Sequence, residues 1–252
     1  MDEDQFKAPE SYRDMEKMKI EIWSDVMCPF CYIGKRKFES ALDRFPGKEH
    51  IEIEWKSFQL NPAMKTEPGK SINDYLAEVK GWTREYAEEA NNHVTRIAGE
   101  VGLEYNMDKA VVANSFDAHR FVQFAKTKGK GDAAEEQLFK AYFTDGKNTA
   151  DHETLVNLGE QIGLDGDEIR EVLGSNKFAE AVRKDVYEAQ QVGARGVPFF
   201  VLDRKYAVSG AQQPETFLGA LEKSFGEWEL KNPSPVIAYA EGASCTPEGE
   251  CN

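Results

Sequence analysis

The stretch SDVMCPFCYIGKRKF, residues 24–38, carries two cysteines, Cys28 and Cys31, with two residues between them. Such a pair can clamp a metal, crosslink the chain or act as a redox reagent. The thiolate is the reactive form of cysteine, and because a free thiol titrates near about 8.5, a working nucleophile needs a neighbour that stabilises negative charge. The unsatisfied amides at a helix N-terminus supply one. Pro29 suits the first helical position, where its missing N–H has no role. Cys28 then falls at the cap and Cys31 one turn inside. This spacing predicts thiol–disulfide exchange, with Cys28 as the exposed attacking thiol and Cys31 as the covered resolving thiol. A zinc half-site would need two further ligands. The only other cysteines are Cys245 and Cys251, six positions apart near the C-terminus. The reading is a redox-active dithiol with no metal and no bound cofactor.

The elements that must position this pair are legible around it. In KIEIWSDVM, Ile20 and Ile22 alternate with Glu21 and Trp23, the period of a strand. From Pro29 the apolar spacing becomes helical through Gly34, Phe38, Ala41, Leu42 and Phe45, and Pro46–Gly47 ends it. Ile51, Ile53 and Trp55 alternate again, so residues 19–60 read as strand, helix, strand. Residues 71–192 are helical in pattern, with breakers predicting four or five helices, and Ser71 and Asp151 read as N-caps. In GVPFFVLDRKYAVSG two apolar runs flank a polar turn, which predicts an antiparallel hairpin, and PETFLGALEKSFGEW reads as a closing helix.

Composition narrows the partners. Of 252 residues, 45 are acidic and 31 basic, a formal charge of −14, so a phosphate backbone or an anionic membrane surface would be repelled. Nucleic acid and membrane are not expected partners; protein or peptide thiols and disulfides are. The N-terminal residues MDEDQFKAPESYRDMEKMK are acidic where a secretory signal is basic, and no apolar stretch follows, so a cytoplasmic location is expected. Close cysteine pairs in that reducing compartment are more often redox or metal groups than crosslinks.

The order of elements resembles the thioredoxin fold with a helical domain inserted between its second and third strands, the arrangement of DsbA-type oxidoreductases. The motifs SDVMCPFCYIGKRKFE, WKSFQLNP, NSFDAHRF, GARGVPFFV and AVSGAQ, over residues 19–252, are similar to those of the FrnE branch of that family. The resemblance implies an α/β fold with a thioredoxin-like domain at 19–65 and 193–230, a helical insertion at 66–192, a polar leader at 1–18 and a tail at 231–252. It implies protein disulfide oxidoreductase or isomerase activity. It also implies a cis proline at Pro198, preceded by Val197, facing the cysteines. Cys245 and Cys251 resemble a second redox pair found in some members; from spacing alone a local staple or a regulatory pair both remain open. Kappa-class glutathione transferases and 2-hydroxychromene-2-carboxylate isomerases share the fold but use a serine at the helix start. A glutathione-dependent transferase or isomerase is therefore the rival reading, and a zinc-responsive protein using all four cysteines is a third.

Several residues carry two readings. Pro29, Phe30 and Val197 are candidates for a substrate groove. His119 and Arg120, in DAHRF, match a family motif on an inserted helix directed at that groove, while a histidine beside aromatics is as often packed and hydrogen-bonded. Asp25 could assist proton movement, although at a strand end it reads more simply as a solvated cap. Phe58, Leu60 and Pro62 are either groove or core.

Overall fold

The computed structural model describes residues 16–233; most of the polar leader and the tail pair Cys245 and Cys251 lie outside the described residues. The chain enters through β1 (Met18–Ser24), α1 (Pro29–Arg44) and β2 (Ile51–Ser57). It then runs through α2 (Ile72–Lys80), α3 (Arg84–Glu100), α4 (Phe116–Thr127) and α5 (Gly131–Phe139), which continues as a π-helical turn at Lys140–Thr144. After α6 (His152–Gln161), α7 (Gly166–Leu173) and α8 (Ala179–Gln191) it returns through β3 (Phe199–Leu202), β4 (Tyr206–Ser209) and α9 (Pro214–Glu229). The strand–helix–strand unit, the hairpin and the closing helix stand where the sequence pattern puts them.

The sheet order is β2–β1–β3–β4, with β1 parallel to β2 and antiparallel to β3. Trp23 lies opposite Phe199 and Ile22 opposite Phe200, so the two faces of β1 bury different sets of side chains. On one face Ile20, Ile22 and Phe200 join Phe38 of α1 and Phe217 of α9, with the Phe200 and Phe217 rings 4.6 Å apart. On the other, Trp23, Phe199 and Val201 pack on Ala189 of α8. Glu21, on that second face, is buried as well, against Arg204 and Lys56. Alternation identified the strand; α8 covers the face that carries its polar residue.

Between β2 and β3 lie seven α-helices rather than four or five. The boundary at LGSNKF, where Phe178 adopts φ 63°, has no proline and follows an ordinary helical pattern. Ser71 and Asp151 do cap α2 and α6, accepting from the Asn73 and Thr154 amides at 3.2 and 2.8 Å. Arg120 is buried, and its part is structural. Its guanidinium donates to Lys177 O at 2.9 Å, to Asp117 at 2.8 Å, and to the carbonyls of Val172 and Ser175 at the end of α7. These are the carbonyls that a helix leaves without partners at its C-terminus. Arg120→Met keeps the apolar stem and strands them, so it is expected to cost about 3 kcal/mol in urea unfolding. A midpoint unchanged from the parent protein would contradict the clamp.

Candidate active site

β1 ends at Ser24, and a turn carries the chain into α1, with the Cys28 amide donating to Asp25 O at 2.9 Å. Cys28 is the N-cap, with extended backbone at φ −87° and ψ 110°, and Pro29 begins the helix. No acidic residue lies in the first turn of α1. The partial positive charge of the helix start is therefore not offset near the Cys28 sulfur. Both cysteines are free thiols.

The second component is the loop before β3. The Val197–Pro198 peptide bond is cis, and the Cys28 thiol donates to the Val197 carbonyl at 3.5 Å. Pro198 can lie this close to α1 because residue 34 is glycine: a Cβ there would sit 2.9 Å from Pro198 Cγ. From the inserted helices comes a third contact, Tyr105 donating to Pro29 O at 2.7 Å, with its ring stacked 4.6 Å from that of Phe143. The start of α1 is thus bracketed by the cis-proline loop on one side and the insertion on the other. As a result Cys28 is only 5% exposed, a correction to the expected exposed thiol. It is reached through a groove instead.

That groove has a volume of about 610 Å³ and runs from Cys28, Pro29, Phe30 and Val197 to α2 and α3. Its far wall is apolar, with Ile72, Leu76, Trp82, Tyr86 and Val94, and with Lys80 and His93 among its polar groups. Leu60 belongs to it; Phe58 packs toward the Trp23 cluster and Pro62 lines a different cavity. The candidate groove residues Pro29, Phe30 and Val197 all line it. His119 does not: it is 0% exposed, and its Nε2 faces Asp25 Oδ1 at 3.5 Å. Asp25 is likewise 0% exposed, which overturns its reading as a solvated cap. Its other oxygen accepts from the Leu60 amide at 2.7 Å, so this carboxylate ties the end of β1 to the chain after β2.

Burial separates the two thiols. Cys31 is 1% exposed, and its thiol is pushed well above the usual range, first by burial and then by the neighbouring Cys28 sulfur. Behind it, burial alone would push the His119 imidazole down, but the Asp25 carboxylate outweighs that and the net direction is upward. Glu135 of α5, also beneath the surface, is raised to about 7 by burial, against the opposing pull of His119. Nothing in DAAEEQLF distinguishes Glu135 from Glu136. Only the fold sends the first inward and pairs the second with Arg36 and Tyr32, which hold it at about 2 despite its own burial.

The sequence matches the DSBA-like thioredoxin domain over residues 19–222. The chain belongs to that family. Members of the DSBA-like family are thiol oxidoreductases. A crystal structure described as a probable DsbA oxidoreductase of Streptomyces coelicolor is 36% identical, covering 93% of this chain and 98% of its own, with a TM-score of 0.78. The uncharacterized protein YwbO of Bacillus subtilis is 29% identical over 206 residues, 80% of this chain and 94% of that protein. A cytosolic disulfide reductase, DsbM of Pseudomonas aeruginosa, shares the fold at 20% identity and a TM-score of 0.59, covering 83% of this chain and 99% of its own. The DSBA-like domain thus includes both cysteines, the cis-proline loop and the whole helical insertion.

Among the described residues, no group of three or more His, Cys, Asp or Glu is arranged to hold a metal ion, and no helix is long and apolar enough to cross a membrane.

The buried Glu135 carries a pH-dependent cost. Its carboxyl titrates higher folded than unfolded, so the folded state holds the proton more tightly and stability falls as pH rises from about 4.5 to about 7, then levels off. Glu135→Gln removes that cost. The variant is expected to match the parent at pH 4 and to exceed it by about 3 kcal/mol at pH 8, in unfolding curves recorded at both. An advantage equal at the two pH values would contradict the assignment.

Proposed function

We propose that this chain is a cytoplasmic thiol–disulfide oxidoreductase of the FrnE type, acting on protein or peptide disulfides, with Cys28 as nucleophile and Cys31 as resolving thiol. The observation that carries the reading is the placement of Cys28 at the N-cap of α1, against the Val197 carbonyl and at the mouth of an apolar groove, with Cys31 closed off behind it.

In the reductive direction the Cys28 thiolate attacks one sulfur of a substrate disulfide. That bond breaks, and the departing sulfur leaves as a thiolate that takes up a proton. The Cys31 sulfur then attacks Cys28, the mixed disulfide breaks, and the second substrate thiol departs. Two electrons have passed from the protein dithiol to the substrate, and the protein holds a Cys28–Cys31 disulfide. Reversal oxidises a substrate dithiol, and release before resolution permits isomerisation. Which direction prevails depends on the partner couples. The groove supplies apolar contact and the Val197–Pro198 loop supplies backbone to an extended chain, a chemistry suited to peptide segments.

The thioredoxin-like domain, 19–65 and 193–230, carries the dithiol in this reading, and the insertion, 66–192, forms the far wall of the groove. Cys245 and Cys251 are read as a second redox pair on the tail. The name of DsbM, a cytosolic disulfide reductase solved also with glutathione, supports the location and offers glutathione as a source of electrons. The rival, a glutathione-dependent transferase or isomerase, draws on the shared fold of a 2-hydroxychromene-2-carboxylate isomerase, at 17% identity. Such an enzyme has no need of Cys31.

The two readings diverge under substitution. Cys28→Ser is expected to abolish reduction of insulin disulfides with dithiothreitol as donor. Cys31→Ser should lose turnover and accumulate a mixed disulfide with substrate, seen as a mass adduct that dithiothreitol removes. Undiminished activity in Cys31→Ser, with a glutathione-dependent product, would favour the rival instead.

A further inference from the structure

Tyr105, between α3 and α4, reaches the start of α1 from the insertion, and its hydroxyl donates to Pro29 O at 2.7 Å. The donor is firmly mounted. Its ring is buried and lies 4.6 Å from that of Phe143, with the planes 18° apart. Both of its chain neighbours are tied to the π-helical turn. Thr144 Oγ1 donates to Glu104 O at 2.7 Å, and Asn106 donates from its backbone amide to Phe143 O and from its side chain to Thr144 O, each at 2.7 Å. Turns of this kind are rare and recur at functional sites. Here the turn holds one hydroxyl against the first carbonyl of the helix that carries the dithiol.

The acceptor makes this bond more than a fastening. Pro29 O and the Phe30 N–H belong to one planar peptide group, in which charge drawn toward the oxygen leaves the N–H more positive. A carbonyl has two lone pairs, so Pro29 O keeps its place in the helix while it accepts from Tyr105. On the other side of that peptide group stands Cys28. As a neutral thiol it turns its proton to the Val197 carbonyl, but once ionised it is an acceptor and needs a donor instead. Pro29 has no N–H, and the Cys31 amide is taken by Cys28 O at 2.9 Å. Of the amides that a cap side chain reaches, the one left for the Cys28 sulfur is that of Phe30.

We propose that Tyr105 is a positioning residue for the exchange reaction: its hydroxyl polarises the Pro29–Phe30 peptide group, so that the Phe30 amide stabilises negative charge on the Cys28 sulfur. The inference rests on the dithiol reading and deepens it. No bond is made or broken at Tyr105, and no proton leaves it. Burial first, and then charge on the Cys28 and Cys31 sulfurs, push the phenol well above its usual range, so it stays a donor. In the reduced protein the Cys28 sulfur can carry charge and in the disulfide it carries none. The same bond therefore favours the reduced form and makes the disulfide the stronger oxidant. The titratable groups around Cys28 are Cys31 on its own helix, Tyr105 from the insertion and, across the groove, Lys80 of α2 and Glu89 and His93 of α3. Tyr105→Phe changes none of their charges.

The test compares the reduced full chain with its Tyr105→Phe variant, which keeps the stacked ring and removes the donor. Iodoacetamide alkylates the thiolate, and its rate at Cys28 is followed by peptide mass across a range of pH. The variant is expected to react about twofold more slowly on the acid side of the ionisation, and to match or pass the parent on the alkaline plateau, where both are ionised. In a glutathione redox buffer its ratio of Cys28–Cys31 disulfide to dithiol should be about twofold higher. Tyr105→3-fluorotyrosine, a stronger donor of nearly the same shape, should move the acid side the opposite way, and it decides the matter if Tyr105→Phe does not fold. For either substitution, a profile that superimposes on the parent's overturns the proposal. So does slowing by one factor at every pH, the mark of lost access to the sulfur and not of lost charge stabilisation. If the parent forms no Cys28–Cys31 disulfide in any glutathione buffer, the dithiol reading fails while the alkylation profiles still judge Tyr105, so the two failures are distinguishable.

Discussion

The pairing of β1 with β3 is the constraint on which the site depends. The two strands are antiparallel, and Trp23 stands opposite Phe199. The end of β1 and the beginning of β3 are therefore neighbours, which brings the turn leading to Cys28 beside the Val197–Pro198 loop. A shift of one residue would exchange the two buried faces of β1 and set Trp23 against the core of α1 and α9. Packing on both faces makes that slip costly, so the strand register, rather than any contact between the sulfur and its neighbours, holds the thiol within 3.5 Å of the Val197 carbonyl. Gly34 completes the arrangement by letting the proline ring approach α1.

Burial on the second face requires charge to be matched inside the protein. Lys56 sits among Glu21, Glu54, Asp185 and Glu188 at 3.0 to 3.6 Å, and its ammonium is held upward by these carboxylates against the opposing effect of burial. Arg204 closes the same network from the turn of the hairpin, where Asp203 and Arg204 both take positive φ. Two non-glycine residues in that region cost some backbone strain, offset here by the ion pair with Glu21. The contrast with the cluster behind Cys31 is informative. Around Lys56 nearly every polar group is answered by a partner; around His119 several are not. One is built for cohesion, and the other tolerates an energetic cost beside the Cys31 sulfur.

The inserted helices do more than cover the sheet. Tyr32 of α1 stacks on Phe139 at 5.0 Å, its hydroxyl donates to Glu136 at 2.7 Å, and Arg36 joins the same carboxylate. These contacts fasten α1 to α5 over the turn that directly follows Cys31. On the other side of the helix start, α2 and α3 supply the apolar groove. The insertion thereby buries Cys31 and leaves Cys28 at the mouth of an apolar groove, the asymmetry on which the proposed exchange rests.

The placement of the two thiols and the frame around them were legible in the sequence. Two cysteines flanking Pro29 at a strand-to-helix transition define a cap thiol and an inner thiol, because helix periodicity and the fixed φ of proline are local properties. The hairpin and the capping roles of Ser71 and Asp151 are local too, and the motifs around Pro198 were enough to anticipate its place. Tertiary structure decided the rest. The burial of Cys28, the inward turn of Asp25 and the withdrawal of His119 from the groove all depend on which helices cover the end of β1, and no nearby residue encodes that. Glu135 and Glu136 are adjacent and chemically identical, yet one is raised to about 7 and the other held at about 2. The difference arises from burial and from partners some 15 to 100 positions away in the chain, His119 for one and Arg36 for the other. Electrostatic environment is a property of the assembled fold, whereas the spacing of two thiols on a helix is a property of the chain.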